Sequence, residues 1–321
     1  MSRPDTSIMR QRDALEVRWS LGHVSRLPYL WLRDNCDCEN CRVRQTSEKR
    51  FMINEVPEDI APLAESLDAD RLTVTWPDGH ESIYSREEIE RLRTPRASDW
   101  TPWDAAFSPG RYPFRSFLAD DAIASETIRE FLENGAFILE HAPTDPGTLE
   151  QLAPRLGPVR EVLFARIHDV HVDSGGYNVA HTSIALPPHN DFASYTWPPS
   201  VQALHMLVNE AAGGDSVIID GWHVLTRLRD IEPAHFQALR RMPVPFREFD
   251  DNNETYTVAP MVRCDTDDNI VALRFSNQLM QALDPEVPGV ADFYRAYRAL
   301  CELVTDDAFK ARFRLEGGDI L

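Results

Sequence analysis

Three cysteines and one distant histidine have the spacing that most directly implies chemistry. Cys36, Cys38 and Cys41 fall within six positions, and the residues between them are polar. Three thiolates this close repel one another unless a cation lies between them, and Zn²⁺ takes Cys₃His sites in tetrahedral geometry. His80 lies in a turn between two strand-like runs, so it can present a fourth ligand. The pattern predicts a structural zinc site; the alternative is three free thiols in a reducing compartment, with His80 on the surface.

A second candidate metal site is the tripeptide His189-Asn190-Asp191. Residues two apart in extended backbone point to the same side, so the imidazole and the carboxylate can bind one ion. With a distant second histidine they would form the two-histidine, one-carboxylate triad of non-haem Fe(II) oxygenases. Alone the pair is weak evidence, because a loop histidine beside a capping aspartate gives the same pattern.

Two of these segments resemble motifs of the γ-butyrobetaine dioxygenase and trimethyllysine dioxygenase family. Leu32–Cys41 matches the family pattern Leu-Arg-Asp-Asn-Cys-x-Cys-x-x-Cys, and Trp76–His80 matches its Trp-Pro-Asp-x-His turn. The resemblance extends from about Leu15 to Leu321. It implies a small zinc-binding β domain followed by an Fe(II)/2-oxoglutarate oxygenase domain.

The resemblance also assigns the co-substrate site. Gly213-Gly214-Asp215-Ser216 follows the His-x-Asp pair at the distance found in the wider taurine-dioxygenase-like superfamily, so Ser216 would help to hold the distal carboxylate of 2-oxoglutarate. In the family, a final strand leads to the distal iron histidine and to an arginine that pairs with 2-oxoglutarate. Leu315–Leu321 is similar to the start of that strand, and no histidine follows His235. We therefore expect the distal histidine beyond Leu321; a chain that lacked it would bind iron poorly and be inactive.

Substrate contacts are predicted from the same resemblance. The family holds a trimethylammonium group among aromatic faces, a cation–π arrangement. The matching positions here are Phe164, His168 and His181, where two imidazoles replace a tryptophan and a tyrosine. Asn178 matches the asparagine that contacts the substrate carboxylate, and Phe192 replaces a tyrosine that assists it. Further side chains nearby could add contacts, and each has a purely structural alternative: Tyr195, Trp197, Arg274 and Asn277.

Composition narrows the class of protein. The 321 residues carry a formal net charge of −19, which argues against nucleic acid or an anionic membrane surface as partner. No apolar run is long enough to cross a membrane. The N-terminus lacks the apolar stretch of a signal peptide, and three of the five cysteines are clustered, so we expect a cytoplasmic metal protein. No internal repeat is evident.

Hydrophobic patterning predicts two domains, a zinc-binding β domain at 1–97 and an oxygenase domain at 98–321. In the first, alternating apolar residues indicate short strands, and Ser85–Glu88 is a capping box that begins a short helix. In the second, we predict strands at Ala136–Glu140, Val201–Val208, Ser216–Asp220, Val244–Phe249, Tyr256–Val262 and Ile270–Phe275, and helices at Ala122–Asn134, Trp222–Ile231, Pro233–Arg241 and Val290–Val304. Many strands with few inserted helices favour a mainly β fold, a double-stranded β-helix (jelly roll).

We therefore predict an Fe(II)- and 2-oxoglutarate-dependent dioxygenase that hydroxylates a C–H bond of a small zwitterion, betaine-like or amino-acid-like, of the γ-butyrobetaine type. Arg274 could pair a carboxylate or phosphonate of the substrate. The alternatives are a hydroxylase of an aminophosphonate analogue and a non-catalytic binding protein on the same scaffold. The resemblance further implies a homodimer, O₂ as the second substrate, and ascorbate as reductant in assays.

Overall fold

The computed structural model contains two compact units, Met1–Arg96 and Ala97–Leu321. The structure describes residues 6–20, 22–91, 100–163, 165–172, 181–182, 184–210, 213–250 and 252–321. Within these ranges no helix is both long and apolar enough to cross a membrane.

The first unit consists of two similar modules, each a three-stranded antiparallel meander followed by a short helix. The elements of the first module are β1 (Ser7–Arg10), β2 (Ala14–Arg18), β3 (Val24–Pro28) and α1 (Tyr29–Asp34). Those of the second are β4 (Ala64–Asp68), β5 (Arg71–Thr75), β6 (Glu81–Ser85) and α2 (Arg86–Arg91).

The likeness between the modules extends to single hydrogen bonds. Leu15–Ser25 and Leu72–Ser82 share the pattern Leu-x-Val-x-Trp-x-x-Gly-His-x-Ser, with the tryptophan at the start of the hairpin turn. In each hairpin the indole N–H donates 2.9 Å to the serine hydroxyl. The turn glycines have φ of 80° and 79°, a left-handed conformation that favours glycine. The expectation of no internal repeat is therefore wrong: two hairpins of common design lie in one unit, and the divergent residues between their shared positions obscure them in the sequence.

The two modules share one hydrophobic core, because neither meander alone has enough apolar surface to fold stably. Both contribute buried leucine, valine, tryptophan and tyrosine side chains. The buried residues are Leu15, Val17, Trp19, Leu27, Tyr29, Leu32, Ile60, Leu72, Val74, Trp76, Tyr84 and Ile89.

The second unit begins with a parallel pair of strands joined through two helices. β7 (Gly110–Pro113) pairs with β8 (Phe137–Glu140), and α3 (Phe114–Ala119) and α4 (Asp121–Asn134) connect them. α4 begins after the capping Asp120, ends at Gly135 in the left-handed conformation, and agrees with the helix predicted at Ala122–Asn134.

In the rest of the second unit, the described residues form antiparallel strand pairs and four α-helices. β9 (Ser216–Ile219) pairs with β14 (Lys310–Phe313), β10 (Val244–Phe249) with β11 (Glu254–Ala259), and β12 (Val262–Cys264) with β13 (Ile270–Leu273). The helices are α5 (Ala153–Leu156), α6 (Gly221–Ile231), α7 (Pro233–Arg241) and α8 (Val290–Thr305). The last three pack their apolar faces on the largest core cluster and agree with the predicted helices.

The final residues of the chain insert between two other segments. Ile320 pairs with both Leu139 of β8 and His205. A Cβ on Gly318 would lie 2.8 Å from a backbone oxygen, so only glycine permits this close approach. The predicted strand Val201–Val208 is present only as this local pairing. The sheet-rich architecture with inserted helices is confirmed, although the described strands of the second unit do not close into a barrel.

Candidate metal centre and active site

The four predicted zinc ligands converge. The Nε2 atom of His80 lies 3.3 Å from Sγ of Cys36, 3.6 Å from that of Cys38 and 3.6 Å from that of Cys41. All four donor atoms lie within 4.8 Å of one another. Bonds of about 2.3 Å to sulfur and about 2.0 Å to nitrogen, at the tetrahedral angle, separate the two donors by about 3.5 Å. The donor set and its spacing therefore fit zinc.

The ligands come from both modules of the first unit. Asn35 ends α1, where its side chain donates 2.9 Å to a carbonyl of that helix, and the cysteines follow directly. His80 is held in the second hairpin turn, where its N–H donates 2.9 Å to the Asp78 carboxylate. The Tyr84 hydroxyl donates to the Leu32 carbonyl and so ties β6 to α1. Burial lowers the pKa of His80 and favours the neutral imidazole that binds a metal.

A buried arginine adjoins the sulfur atoms. Arg33 Nη1 donates 3.2 Å to Sγ of Cys41, and its side chain is only 9% exposed. Its guanidinium also lies 3.7 Å from Asp78 and over the ring of Phe51. Burial raises the pKa of Cys41 to about 12, against the opposing effect of Arg33. A bound dication would reverse this, since thiols that coordinate a metal are deprotonated.

The His-x-Asp pair has the geometry of two adjacent ligands of one ion. His189 Nε2 lies 3.0 Å from Asp191 Oδ1. Two donors bound at about 2.0–2.1 Å with a right angle between them lie about 2.9 Å apart. His189 Nδ1 lies 2.8 Å from the Pro187 carbonyl, so Nδ1 carries the proton and Nε2 is left for a metal.

The two side chains of the His-x-Asp pair shift each other's pKa. The hydrogen bond to Asp191 raises the pKa of His189, and the same bond lowers the pKa of Asp191. Gln202 and the charge of His168 lower the Asp191 pKa further. Within the described ranges no third histidine, cysteine, aspartate or glutamate joins them in a metal-sized cluster. The pair fits a divalent ion that would replace the imidazolium as the partner of the carboxylate.

The predicted co-substrate residue opens a strand beside a glycine turn. Ser216 is the first residue of β9 and pairs with Phe313 of β14. Gly213 and Gly214 precede it with φ of 86° and 76°. The Arg314 guanidinium donates to the Gly213 carbonyl, so β14 and the residue after it fix the turn.

The predicted substrate residues are only partly brought together. Phe164 and Asn178 lie outside the described residues. The half-buried ring of His181 lies 6.3 Å from the ring of His171, a residue to which the sequence assigned no role. Asn277 is exposed.

The remaining candidates belong to the loop that follows Asp191. The rings of Phe192 and Tyr195 pack edge to face at 5.4 Å, and the Tyr195 hydroxyl accepts a 2.7 Å hydrogen bond from the Leu163 N–H. Trp197 is 69% exposed. Arg274 donates to main-chain carbonyls of this loop.

Sequence reasoning missed Arg33, Asn190 and Gln202. Arg33 and Asn190 lie inside the predicted metal-binding motifs, so their positions could have identified them in the sequence. The sequence offers no corresponding signal for Gln202.

Two family models match the chain, one over each of its two units. A family model described as taurine catabolism dioxygenase TauD, TfdA family matches residues 96–321, and one described as gamma-butyrobetaine hydroxylase-like, N-terminal matches residues 6–89. The chain therefore belongs to the TauD/TfdA family of dioxygenases. The predicted family and the predicted class, an Fe(II)/2-oxoglutarate dioxygenase, are confirmed.

The sequences of individual relatives align with nearly the whole chain. A gamma-butyrobetaine dioxygenase of Pseudomonas sp. (strain AK-1) is 32% identical over 320 residues, which cover 95% of this chain and 82% of the relative. A trimethyllysine dioxygenase of Meyerozyma guilliermondii is 25% identical, with 96% and 84% covered. The human gamma-butyrobetaine dioxygenase is 24% identical, with 96% and 83% covered.

Proposed function

We propose that this protein hydroxylates a C–H bond of a small betaine-like or amino-acid-like zwitterion, with Fe(II), 2-oxoglutarate and O₂. The observation that carries the proposal is the 3.0 Å contact between His189 Nε2 and Asp191 Oδ1, with the other imidazole nitrogen held by a carbonyl. Bound iron would supply oxygen activation coupled to decarboxylation of 2-oxoglutarate. His189 and Asp191 would hold the ion on one side and leave positions open for both co-substrates.

Other chain residues would orient the co-substrate and the substrate. Ser216, as a neutral hydroxyl at the start of β9, would donate to the distal carboxylate of 2-oxoglutarate. The cage positions Phe164, His168 and His181 and the polar Asn178 would define the substrate pocket. Because two imidazoles replace the tryptophan and the tyrosine of the family's aromatic cage, this pocket offers weaker cation–π contact to a quaternary ammonium and favours a substrate that is less methylated than butyrobetaine, or an aminophosphonate analogue.

The assembly is also part of the proposal. We assign a zinc-binding domain to residues 1–97 and an oxygenase domain to 98–321, whose strand pairs belong to a double-stranded β-helix. Zn²⁺ at Cys36, Cys38, Cys41 and His80 would be structural, because the protein fills all four positions. Family resemblance supports a homodimer, and the clustered cysteines support a cytoplasmic location.

The test is succinate formation by the full-length protein with Fe(II), ascorbate and 2-oxoglutarate, over a panel of betaines, amino acids and aminophosphonates. We expect one compound class to stimulate turnover and Asp191→Ala to abolish it without loss of the fold. Asp267→Ala, which removes an exposed carboxylate elsewhere in the second unit, is the matched control. Turnover retained in Asp191→Ala would refute the iron assignment. Absence of 2-oxoglutarate binding in the wild type would favour the non-catalytic alternative.

A further inference from the structure

The loop that follows Asp191 is held by an arginine rather than by regular secondary structure. Arg274 Nη1 donates to the carbonyl of Ala193 and, at 2.7 Å, to that of Tyr195. Its Nη2 donates 3.3 Å to the Thr196 carbonyl. Ala193 is 1% exposed, so its carbonyl has little access to water and depends on this donor.

The residue after Arg274 holds the other side of the iron ligands. The Asn190 N–H donates 2.6 Å to the Phe275 carbonyl, and the Phe275 N–H donates 2.9 Å to the Asn190 side-chain oxygen. Arg274 is itself fixed, because its backbone N–H donates 2.7 Å to the Met261 carbonyl. Two consecutive residues therefore hold the chain at Asn190, just before Asp191, and from Ala193, two residues after it.

The backbone between Asn190 and Ala193 is strained. Phe192 directly follows the carboxylate ligand and has φ of 55°, a left-handed conformation that is uncommon for a bulky residue. Such a conformation persists only where the surroundings impose it. The contacts of Arg274 begin at the next residue, so they are placed to impose it.

The charge of Arg274 has no carboxylate partner among the described residues. Both N–H groups of Nη1 and one of Nη2 donate to backbone carbonyls. Too few N–H groups therefore remain on the two Nη atoms for a bidentate contact with a substrate carboxylate. This arrangement argues against the substrate-pairing role that the sequence suggested for Arg274.

We propose that Arg274 is a positioning residue of the iron site: by holding the carbonyls of residues 193, 195 and 196 it fixes the turn that directs Asp191 toward the metal. The inference rests on the proposed function, since it needs His189 and Asp191 to bind iron. Lysine cannot replace this arginine, because an ammonium on a flexible stem does not reproduce a planar fork that reaches three carbonyls.

The experiment compares Arg274→Lys and Arg274→Met with wild type and with Arg155→Lys. Arg155 is the matched control, because its guanidinium also donates to a backbone carbonyl, that of Leu118, at 2.7 and 3.1 Å. Anaerobic Fe(II) titration gives the metal affinity. The visible charge-transfer band of the Fe(II)–2-oxoglutarate complex reports the ligand geometry, and steady-state kinetics separate KM for the stimulating compound from kcat.

We expect both Arg274 variants to bind Fe(II) about 10–100-fold more weakly, the range typical for loss of a residue that orients a metal ligand, and to shift the charge-transfer band. Asn190→Ala should change both in the same direction. The melting temperature of Arg274→Lys should match that of Arg155→Lys, which should keep wild-type iron affinity.

Three results would overturn the inference. Unchanged iron affinity and band in Arg274→Lys, with a raised KM alone, would make Arg274 a substrate contact. An equal loss of iron affinity in Arg155→Lys would show a general effect on stability. Failure of the wild type to bind Fe(II) and 2-oxoglutarate would refute the proposed function, and the inference with it. The wild type is measured before any variant, so this failure can be distinguished from failure of the inference alone.

Discussion

Replacement of Arg33 by methionine should weaken zinc binding without removing a ligand. Three thiolates and a neutral imidazole around Zn²⁺ leave a net charge of −1, and the Arg33 guanidinium donates 3.2 Å to one of the sulfur atoms. Opposite unit charges about 5 Å apart attract by about 3 kcal/mol at an effective dielectric constant near 20. Asp78, 3.7 Å from the guanidinium, shares its charge and reduces the expected loss to about 2 kcal/mol. That loss corresponds to about thirtyfold in the dissociation constant.

The assay is competition for zinc with a chromogenic chelator of known affinity, on protein that has been reduced and reloaded with one equivalent of metal. Arg42→Met is the matched control. Arg42 belongs to the same cysteine-rich segment, but its side chain contacts Asp37 at 3.1 Å and the Ser47 carbonyl at 2.7 Å rather than a sulfur atom. It should leave the zinc affinity unchanged.

Equal zinc affinities for wild type and Arg33→Met would refute the reasoning, because the guanidinium would then contribute nothing to the charged complex. An equal loss in Arg42→Met would also refute it, since the effect would come from the net charge of the segment. Arg33→Lys should recover part of the affinity, because the charge is kept while the directed N–H to Cys41 is lost.

Three further changes test other parts of the structure. Cys38→Ser should lose zinc and sharply reduce soluble yield, because structural zinc contributes on the order of 10 kcal/mol of apparent binding energy in small domains; full solubility with an unchanged melting temperature would contradict this. Asp70→Asn should lower stability by less than about 1 kcal/mol, since the bonds from the Ser20 hydroxyl at 2.7 and 2.8 Å are partly exposed. Because the Ser20 hydroxyl lowers the pKa of Asp70 in the folded protein, this stabilisation is present above the unfolded pKa of about 3.9 and is lost as pH falls through the folded value. The difference in melting temperature between Asp70→Asn and wild type should therefore vanish in acid, and a constant difference would oppose the assignment. Asp319→Ala should cost about 2–3 kcal/mol in urea unfolding, because Asp319 is 4% exposed and pairs with Arg111 at 3.2 Å; a loss below about 0.5 kcal/mol would show that the ion pair is dispensable.

The candidate zinc site could be predicted from sequence because the constraint on its residues is chemical and mostly local. Three cysteines within six positions are typical of metal binding, and the glycine before His80 indicates a turn. The pair His189 and Asp191 is equally local, and its 3.0 Å contact agrees with the prediction from spacing. The long helices were predictable for a related reason, since one apolar stripe and its end signals identify α8 without knowledge of its neighbours.

The features that the sequence did not reveal depend on backbone partners far along the chain. Arg274 donates to backbone carbonyls about 80 residues away. Every residue carries such a carbonyl, so no side-chain pattern in the sequence shows which ones accept these hydrogen bonds. The predicted strand at Val201–Val208 pairs over a short stretch with Leu321 and its neighbours, which lie far from it in the sequence. Its apolar run predicts a buried strand, but the side chains of Val201, Leu204 and Val208 are exposed in the structure.

The paired hairpins of the first unit show why a matching turn does not by itself identify a metal ligand. His23 and His80 occupy equivalent positions after equivalent glycines, and the tryptophan–serine bond is the same in both hairpins. The shared pattern therefore serves packing of the common core. His80 meets the cysteines that follow α1 of the other module, whereas His23 is exposed, and no cysteine follows α2 before residue 264. The metal would thus link the cysteines after α1 to the histidine turn of the second module, with no equivalent site at His23. The position of the cysteine cluster, rather than the histidine turn, therefore decides which histidine can bind a metal.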